Sequence, residues 1–123
     1  MKILFDHNLP RRLREHLPEH EIHTAREMSW EQLRNGALLA IAGTAGFEAF
    51  MTIDKQLEHQ QDLAALPLPV IIVDGNSNSL PALLPFVPFL RDLLTPPLAS
   101  MLYVVQESGN VLRLNEPRSV DLR

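Results

Sequence analysis

The chain has 123 residues, no cysteine, a formal net charge of −4 and 46% apolar residues. That length and apolar content suit one domain of ordinary size with its own core. The lack of cysteine excludes disulfides, thiolate metal sites and cysteine nucleophiles, and the acidic balance excludes the global positive field of proteins that coat nucleic acid. Any contact with nucleic acid must therefore be local.

The start of the chain and its longest apolar stretch bear on location. The N-terminus runs directly into a short apolar segment that ends at Asp6, without the charged start and long apolar run of a signal peptide. Residues 37–47 form the longest apolar stretch, which is shorter than the about 20 residues needed to cross a bilayer. We expect a cytoplasmic protein that does not enter the membrane.

The first predicted elements are a strand and a helix. Residues 2–5 are apolar enough for a buried strand that ends at Asp6. Asn8 as N-cap and Pro10 in the first turn then predict a helix that runs to about Leu17. Leucines recur every four residues along it, which gives a narrow stripe for packing on a sheet.

The next segment predicts a second strand and a short helix. Residues 21–24 form the strand, and Ser29 with Gln32 has the spacing of a capping box, which predicts a helix that starts at Trp30. Asn35 and its following glycine interrupt that helix.

The central helix is predicted over residues 37–45, which are rich in alanine and leucine. Gly46 closes it as a left-handed C-cap. Residues 49–53 and 70–73 then predict the third and fourth strands, with a polar helix or turn at 56–63 between them. Short apolar strands separated by helices indicate parallel strands covered on both faces.

The last part of the chain predicts a proline-interrupted helix and a hairpin. Residues 79–94 are leucine-rich but carry three prolines, so a helix there is kinked or starts late. Residues 101–106 and 111–114 predict a terminal hairpin, which extends the sheet or pairs with a second copy in a homodimer. The expected fold is a single three-layer α/β/α domain with a mainly parallel sheet, with its core in residues 1–95 and a hairpin at about 100–115.

Two aspartates stand at the ends of predicted strands. Right-handed crossovers place the first strand centrally, with the second and third strands on either side, so Asp6 and Asp54 meet at one edge. Neighbouring strands lie about 4.8 Å apart, close enough for both carboxylates to share one Mg²⁺ or Mn²⁺. Two alternatives stay open: Lys55 or an arginine replaces the metal, or both aspartates serve as helix N-caps.

A set of sequence segments is similar to a known family. LFDHNLP with its leucine- and arginine-rich helix, the EIHTA strand, and FMTIDKQL with HQQDL together resemble the PIN-like family of small bacterial proteins, over about residues 1–75. That family is related to the PIN-domain ribonuclease toxins of toxin–antitoxin systems. The resemblance implies a Rossmann-like three-layer sandwich, Mg²⁺- or Mn²⁺-dependent cleavage of RNA and a cognate antitoxin. It also places the family's first acid at Asp6 and the acid of its Thr-x-Asp motif at Asp54.

The chain departs from the family at two positions. Relatives often begin with Asp-Glu-Asn where this chain has His7 after its first acid, and often carry an acid at the start of the central helix, where this chain has Asn35. Two carboxylates form a weak metal site, because the ion and its attacking water need more negative charge. Glu31, Glu58 and Asp62 are the acids that could complete it, and we expect Glu58 or Asp62 ahead of Asp74.

Polar side chains near the predicted edge are candidates for binding substrate. His7 suits a ligand, a proton donor or a loop-forming role, and Asn8 and Asn35 suit water or phosphate contacts as well as helix capping. The early arginines suit phosphate contacts, or simply form the solvated face of a helix. The full set of substrate-binding candidates is His7, Asn8, Arg11, Arg12, Thr24, Asn35, Thr52, Lys55, Gln60 and Gln61.

Three functions follow from these features. The first is a metal-dependent ribonuclease in which Asp6 and Asp54 are the catalytic acids. The second is a fold relative that has lost efficient hydrolysis and binds nucleic acid or a protein partner. The third, a phosphoacceptor receiver domain with Asp54 as acceptor, requires an acidic pair at the first strand and a lysine after the last, which Asp6 and Lys55 match only in part.

Overall fold

A computed structural model describes residues 1–116, and their strands form one six-stranded sheet. The strands are β1 (Lys2–Phe5), β2 (Glu21–Thr24), β3 (Ala49–Thr52), β4 (Val70–Asp74), β5 (Leu102–Gln106) and β6 (Val111–Leu114). Their order is β2-β1-β3-β4-β5-β6, with the first five parallel and β6 antiparallel to β5. The predicted central position of β1 between β2 and β3 is confirmed, and the connections diverge there, which makes the β1–β3 boundary the topological switch point.

The helices cover both faces of this sheet. The α-helices are α1 (Asn35–Thr44), α2 (Leu57–Gln60), α3 (Leu80–Leu83) and α4 (Val87–Leu93), and 3₁₀ helices span Arg11–His16, Leu63–Ala65 and Leu84–Phe86. Alternate strand residues feed two separate cores. Ile3 and Phe5 pack with Leu13 and Leu90 on one face, and Leu4 packs with residues of α1 on the other. The predicted three-layer α/β/α class is confirmed.

The first helix differs from its prediction. Residues 11–16 form a 3₁₀ helix, whose N-cap position is occupied by Pro10 without a side-chain cap. Asn8 does not cap it, because its amide is instead within 3.3 Å of the Thr52 hydroxyl on β3. The leucine stripe is buried as predicted, with Leu13 fully enclosed. Tertiary contacts of the loop therefore replace the local cap.

The predicted capping box at Ser29 and Gln32 is wrong. Ser29 has φ 63°, a left-handed conformation, whereas an N-cap residue requires extended backbone. Residues 26–29 form turns, and the helix begins at Asn35 instead of being interrupted there. Trp30 packs edge-on against Phe47, with ring centroids 5.9 Å apart. The segment from β2 to α1 is thus a packed loop.

The ends of the remaining elements follow local chemistry. Gly46 has φ 86° just beyond α1, so the predicted left-handed cap is confirmed. The leucine-rich segment is split into α3, a 3₁₀ helix and α4, each with a proline in its first two positions, where a missing N–H costs nothing. The predicted hairpin is confirmed as β5 and β6, which extend the same sheet. None of the helices within residues 1–116 has the length and apolarity required to span a bilayer.

Candidate functional site

The two strand-end aspartates open into the same cleft. Asp6 follows β1 directly and is 5% exposed, and Asp54 lies two residues beyond β3 and is half-buried. This cleft, of about 570 Å³, is called the amide cleft because side-chain amides dominate its wall. Its polar lining comprises Asp6, His7, Asn8, Arg34, Asn35, Asp54, Gln60 and Gln61. The carboxyl ends of β1 and β3 therefore present both predicted acids at the switch point.

A single buried hydroxyl connects the two aspartates. Thr52 Oγ1 donates to Asp6 Oδ2 at 2.7 Å and accepts the backbone N–H of Asp54 at 3.0 Å. Asn8 Nδ2 lies 3.3 Å from the same oxygen, and Asn8 Oδ1 accepts the Ile53 N–H at 3.4 Å. The second Asp6 oxygen accepts the backbone N–H of His7 at 2.8 Å. The Thr52 bond fixes the Asp6 carboxylate relative to β3, and the Asn8 bonds hold the loop after Asp6 against the end of the same strand.

The first turn of α1 positions a side-chain amide against Asp54. Asn35 Nδ2 lies 3.3 Å from Asp54 Oδ2 and 3.2 Å from Gln60 Oε1. The predicted capping role of Asn35 is wrong, since Arg34 occupies the N-cap and makes no side-chain cap. Asp54 Oδ1 accepts the N–H of Gln56 at 3.0 Å and so closes its own turn. The N-cap alternative for the two aspartates is wrong, because Pro10 and Gln56 occupy the N-caps of the helices that follow them. The amide of Asn35 stands where the resembling family often has an acid.

The donor set of the amide cleft suits a hydrated cation. Each carboxylate oxygen of Asp6 and Asp54 accepts one hydrogen bond and keeps a further lone pair. Within residues 1–116 no group of three or more His, Cys, Asp or Glu side chains is arranged to hold a metal ion. Mg²⁺ is commonly held by one or two carboxylates, with waters and substrate phosphates completing its shell. Asp6 and Asp54 fit that mode, and they do not fit an all-protein cage.

The two acids expected to complete the site lie elsewhere. Glu58 is 1% exposed and lies on α2 beside Lys55 and Asp74, at the ends of β3 and β4. Asp62 caps the Leu63–Ala65 helix, with its Oδ1 accepting the Ala64 N–H at 3.1 Å. Neither lines the amide cleft. Gln60 and Gln61 are the residues of this segment that line it instead.

Two predicted cationic contacts are also displaced. Lys55 Nζ lies 2.9 Å from Asp74 Oδ1 rather than between Asp6 and Asp54, so it does not replace a metal there. Arg12 Nε lies 3.8 Å from Glu15 on the exposed face of its helix and lines neither cleft described here. Arg12 pairs with a carboxylate three residues away in sequence, and Lys55 pairs with one at the end of the neighbouring strand.

A second cleft adjoins the first on the β2 side. It encloses about 900 Å³ and is called the arginine cleft, since two arginines face it. Its lining comprises Asp6, His7, Leu9, Arg11, Thr24, Arg26, Glu27 and Glu31. Asp6 and His7 line both clefts, so the two meet at this pair. Arg26 and Arg34 are the basic lining residues that the sequence does not predict as part of the site.

An ion pair braces the loop that borders the arginine cleft. Arg14 binds Glu27 through both guanidinium nitrogens, at 2.7 and 3.0 Å. Glu27 also accepts the N–H of Thr24 at 2.9 Å and donates its own N–H to the Thr24 hydroxyl at 3.1 Å. The bond from Arg14 and then that from Thr24 lower the pKa of Glu27 to about 2. The predicted candidate Thr24 therefore has a structural role at the cleft wall.

The receiver-domain alternative lacks its lysine. That function requires a cation at the end of the last parallel strand, and β5 ends at Gln106.

Comparison of the chain with models of protein families, with curated proteins and with solved structures gives no match. The geometry of the two clefts is therefore the basis for assigning a function.

Proposed function

We propose that this protein is a PIN-like ribonuclease that uses Mg²⁺ or Mn²⁺ bound between Asp6 and Asp54. The observation that supports this is the convergence of the two carboxylates on one cleft at the switch point of a parallel sheet. The sequence resemblance to the PIN-like family supports RNA as substrate and a toxin role with a cognate antitoxin. The lack of cysteine fits a cytoplasmic location, and the terminal hairpin supplies the edge strand for a homodimer.

The residues of the amide cleft have different roles in the proposed reaction. Asp6 and Asp54 hold the cation, which when bound supplies positive charge at the phosphodiester and activates the attacking water. Asn35 holds Asp54 and also donates to Gln60, and both amide side chains line the cleft that receives the substrate. His7 is exposed at the junction of the clefts, where its imidazole is placed to give a proton to the leaving oxygen.

A second function is favoured by one observation. Asn35 faces Asp54 in the position where an acid is expected, while Glu58 and Asp62 lie outside the amide cleft. A site with two carboxylates binds a cation weakly. The alternative is a module that binds nucleic acid or a protein partner without cutting it.

The test compares RNA cleavage by four proteins. Wild type, Asp6→Asn, Asp54→Asn and the control Asp74→Asn are incubated with a labelled single-stranded RNA in Mn²⁺, and each is checked for folding by circular dichroism. Both cleft variants are expected to lose at least about 100-fold in rate, as EDTA does for the wild type, because the cation loses half of its anionic ligands. Asp74→Asn is expected to retain activity, since Asp74 pairs with Lys55 outside the cleft.

Two results decide against the nuclease. Cleavage that survives in both Asp6→Asn and Asp54→Asn belongs to a contaminant or to another site. Absence of cleavage by folded wild type across several RNA sequences, together with measurable RNA binding, supports the binding module instead.

A further inference from the structure

Charge pairing divides the cationic side chains of residues 1–116 into two sets. Each cation of the first set has an aromatic ring or a carboxylate as its partner. Lys2 lies over the ring of Phe47, and Arg113 lies over the ring of Tyr103. The members paired with carboxylates are Arg12 with Glu15, Arg14 with Glu27, Lys55 with Asp74 and Arg91 with Glu19.

The second set comprises Arg11, Arg26 and Arg34. Their guanidinium groups make no hydrogen bond, ion pair or ring contact with any residue in the described part of the chain, and all three are exposed. Arg11 and Arg26 line the arginine cleft, and Arg34 lines the amide cleft. Although the chain has a net charge of −4, these three unpaired arginines of residues 1–116 all line clefts that contain Asp6.

The two clefts form one continuous path, because Asp6 and His7 belong to both. Arg34 lines the amide-cleft part of this path, and Arg11 and Arg26 line the arginine-cleft part. A ligand that contacts arginines in both parts carries more than one negative charge, as an extended phosphate backbone does. A guanidinium group presents five donors in a fixed fork that matches phosphate oxygens.

The two parts of the path differ in chemistry. The amide cleft offers the side chains of Asn35, Gln60 and Gln61, which carry both donors and acceptors suited to the edges of unpaired bases. The arginine cleft offers the guanidinium groups of Arg11 and Arg26 beside the apolar Leu9. Of the two glutamates that also line it, Glu27 is neutralised by Arg14, and the exposed Glu31 is opposed by the two arginines. Asp6 is 5% exposed at the bottom of the junction, so a phosphate reaches it only by entering the groove, which a flexible single strand does more readily than a duplex.

We infer that Arg11, Arg26 and Arg34 form a phosphate track for single-stranded nucleic acid, which crosses Asp6 with at least one nucleotide in each cleft. This inference rests on the proposed function, since the strand that lies across Asp6 is the one to be cut. The track supplies affinity for the nucleic-acid backbone, which the acids do not. Because the strand extends to both sides of Asp6, the cut falls inside the strand rather than at its end.

The experiment measures binding of a fluorescent 12-nucleotide single-stranded RNA in EDTA, so that no cleavage occurs. Arg11→Gln, Arg26→Gln, Arg34→Gln and the triple variant are compared with wild type. Arg12→Gln and Arg91→Gln are matched controls, since they remove the same charge outside the clefts. Each variant in the track is expected to raise Kd by about five- to tenfold, and the triple variant by about 100-fold or more.

The salt dependence gives a second readout. Each lost phosphate contact lowers the slope of log Kd against log salt by about 0.7, so the triple variant is expected to lose about 2 units of slope. The control variants are expected to change Kd by less than about twofold. A triple variant that keeps the wild-type Kd and slope overturns the inference, as does a control variant that weakens binding as much as the track variants do.

Failure of the track is distinguishable from failure of the nuclease. RNA binding that depends on the three arginines, without cleavage in Mg²⁺ or Mn²⁺, supports the track and removes the nuclease. Cleavage that depends on Asp6 and Asp54, with an unchanged Kd in the triple variant, supports the nuclease and removes the track. If a poly-glutamate peptide displaces the RNA at the same concentration as unlabelled RNA does, the surface is a binding site for acidic protein and the inference is overturned.

Discussion

Thr52 donates its hydroxyl hydrogen to Asp6 Oδ2 at 2.7 Å, across the boundary between β3 and β1. Thr52 Oγ1 also accepts the backbone N–H of Asp54 at 3.0 Å. One fully buried hydroxyl therefore bonds both the Asp6 carboxylate and the Asp54 backbone. This bond explains the Thr-x-Asp spacing physically: the threonine faces Asp6, and the aspartate two residues later faces the cleft. The relative placement of the acids is therefore set by the protein before any cation binds.

We expect Thr52→Val to destabilise the protein by about 2 kcal/mol. Valine keeps the shape of threonine but leaves Oδ2 of the buried Asp6 without its donor and the Asp54 N–H without its acceptor. A buried group that loses its partner costs about 1–3 kcal/mol. Urea denaturation measures the change. Thr44→Val is the control, because the Thr44 hydroxyl bonds only the Ala40 carbonyl on an exposed helix face. Equal losses in the two variants would show that the Thr52 network does not stabilise the fold.

A second prediction concerns acid and the Arg14–Glu27 pair. The pKa of Glu27 is lowered to about 2, mainly by the Arg14 hydrogen bond, so its carboxylate stabilises the folded state above the unfolded pKa of 4.5. That stabilisation is lost as pH falls from 4.5 towards 2. Glu27→Gln is therefore expected to be about 1 kcal/mol less stable than wild type at pH 7, a modest value because the pair is about one-third exposed.

The pH dependence of the melting temperature checks this assignment. The difference between wild type and Glu27→Gln is expected to shrink below pH 4.5 and to vanish near pH 2. Glu15→Gln is the matched control, since Glu15 meets Arg12 at 3.8 Å on a solvated surface and is expected to change stability by less than about 0.5 kcal/mol. A difference for Glu27→Gln that persists unchanged to pH 2 would show that the carboxylate charge is not the cause.

The parts of the fold that follow from local sequence agree with the prediction. Residues 2–5 and 21–24 form strands as expected, because short apolar or β-favouring runs between turns have few alternatives. Gly46 ends α1, because glycine adopts φ 86° without a Cβ clash. The central place of β1 followed from the handedness of crossovers, which is independent of side-chain detail.

The site was predictable only where the strands themselves supply it. Asp6 and Asp54 follow from strand ends, whereas Asn8 and Asn35 were assigned to helix caps because their partners, Thr52 and Asp54, are distant in sequence. Local pattern does not reveal such contacts. Neither does it reveal an arginine without a partner, since pairing depends on which carboxylates the fold brings near.

The missed arginines illustrate this second limit. Arg26 lies in the turn after β2, and Arg34 lies at the N-cap of α1, where no helical stripe or charge run marks it. Arg12 stands in a basic run that predicts phosphate contacts, yet it pairs with Glu15 on the surface. Acids lie close in sequence to Arg11, Arg26 and Arg34 as well, so neither a charge run nor local acid spacing shows which arginine stays without a partner.

A third prediction compares two glycines with positive φ. Gly46→Ala is expected to cost about 1 kcal/mol, because alanine is strained at φ 86° but meets nothing within 4 Å. Gly109→Ala adds a clash to a similar strain at φ 97°, since its Cβ would lie 2.9 Å from the Phe89 ring. We expect a loss of about 2 kcal/mol there by urea denaturation. If Gly46→Ala is the more damaging change, the close packing of the hairpin turn on Phe89 is refuted.

The last prediction concerns divalent cations and does not depend on substrate. A cation that binds only the folded state stabilises it by RT ln(1 + [L]/Kd), which is about 1.4 kcal/mol at ten times Kd. For a domain of this size, that corresponds to a rise of about 5 °C in melting temperature. We therefore expect millimolar Mn²⁺ to raise the melting temperature of wild type by this amount in a thermal-shift assay.

Matched variants assign that rise to the amide cleft. Asp54→Asn and Asp6→Asn are each expected to abolish most of it, whereas Asp74→Asn retains it, because Asp74 is held by Lys55 at the end of the neighbouring strand. Asn35→Asp is expected to increase the rise, because it adds a carboxylate at the position 3.3 Å from Asp54 Oδ2 that now holds an amide. A wild-type protein that is insensitive to Mn²⁺, with an Asn35→Asp variant that responds, would mean that the cleft has the geometry of a cation site but lacks the negative charge to fill it.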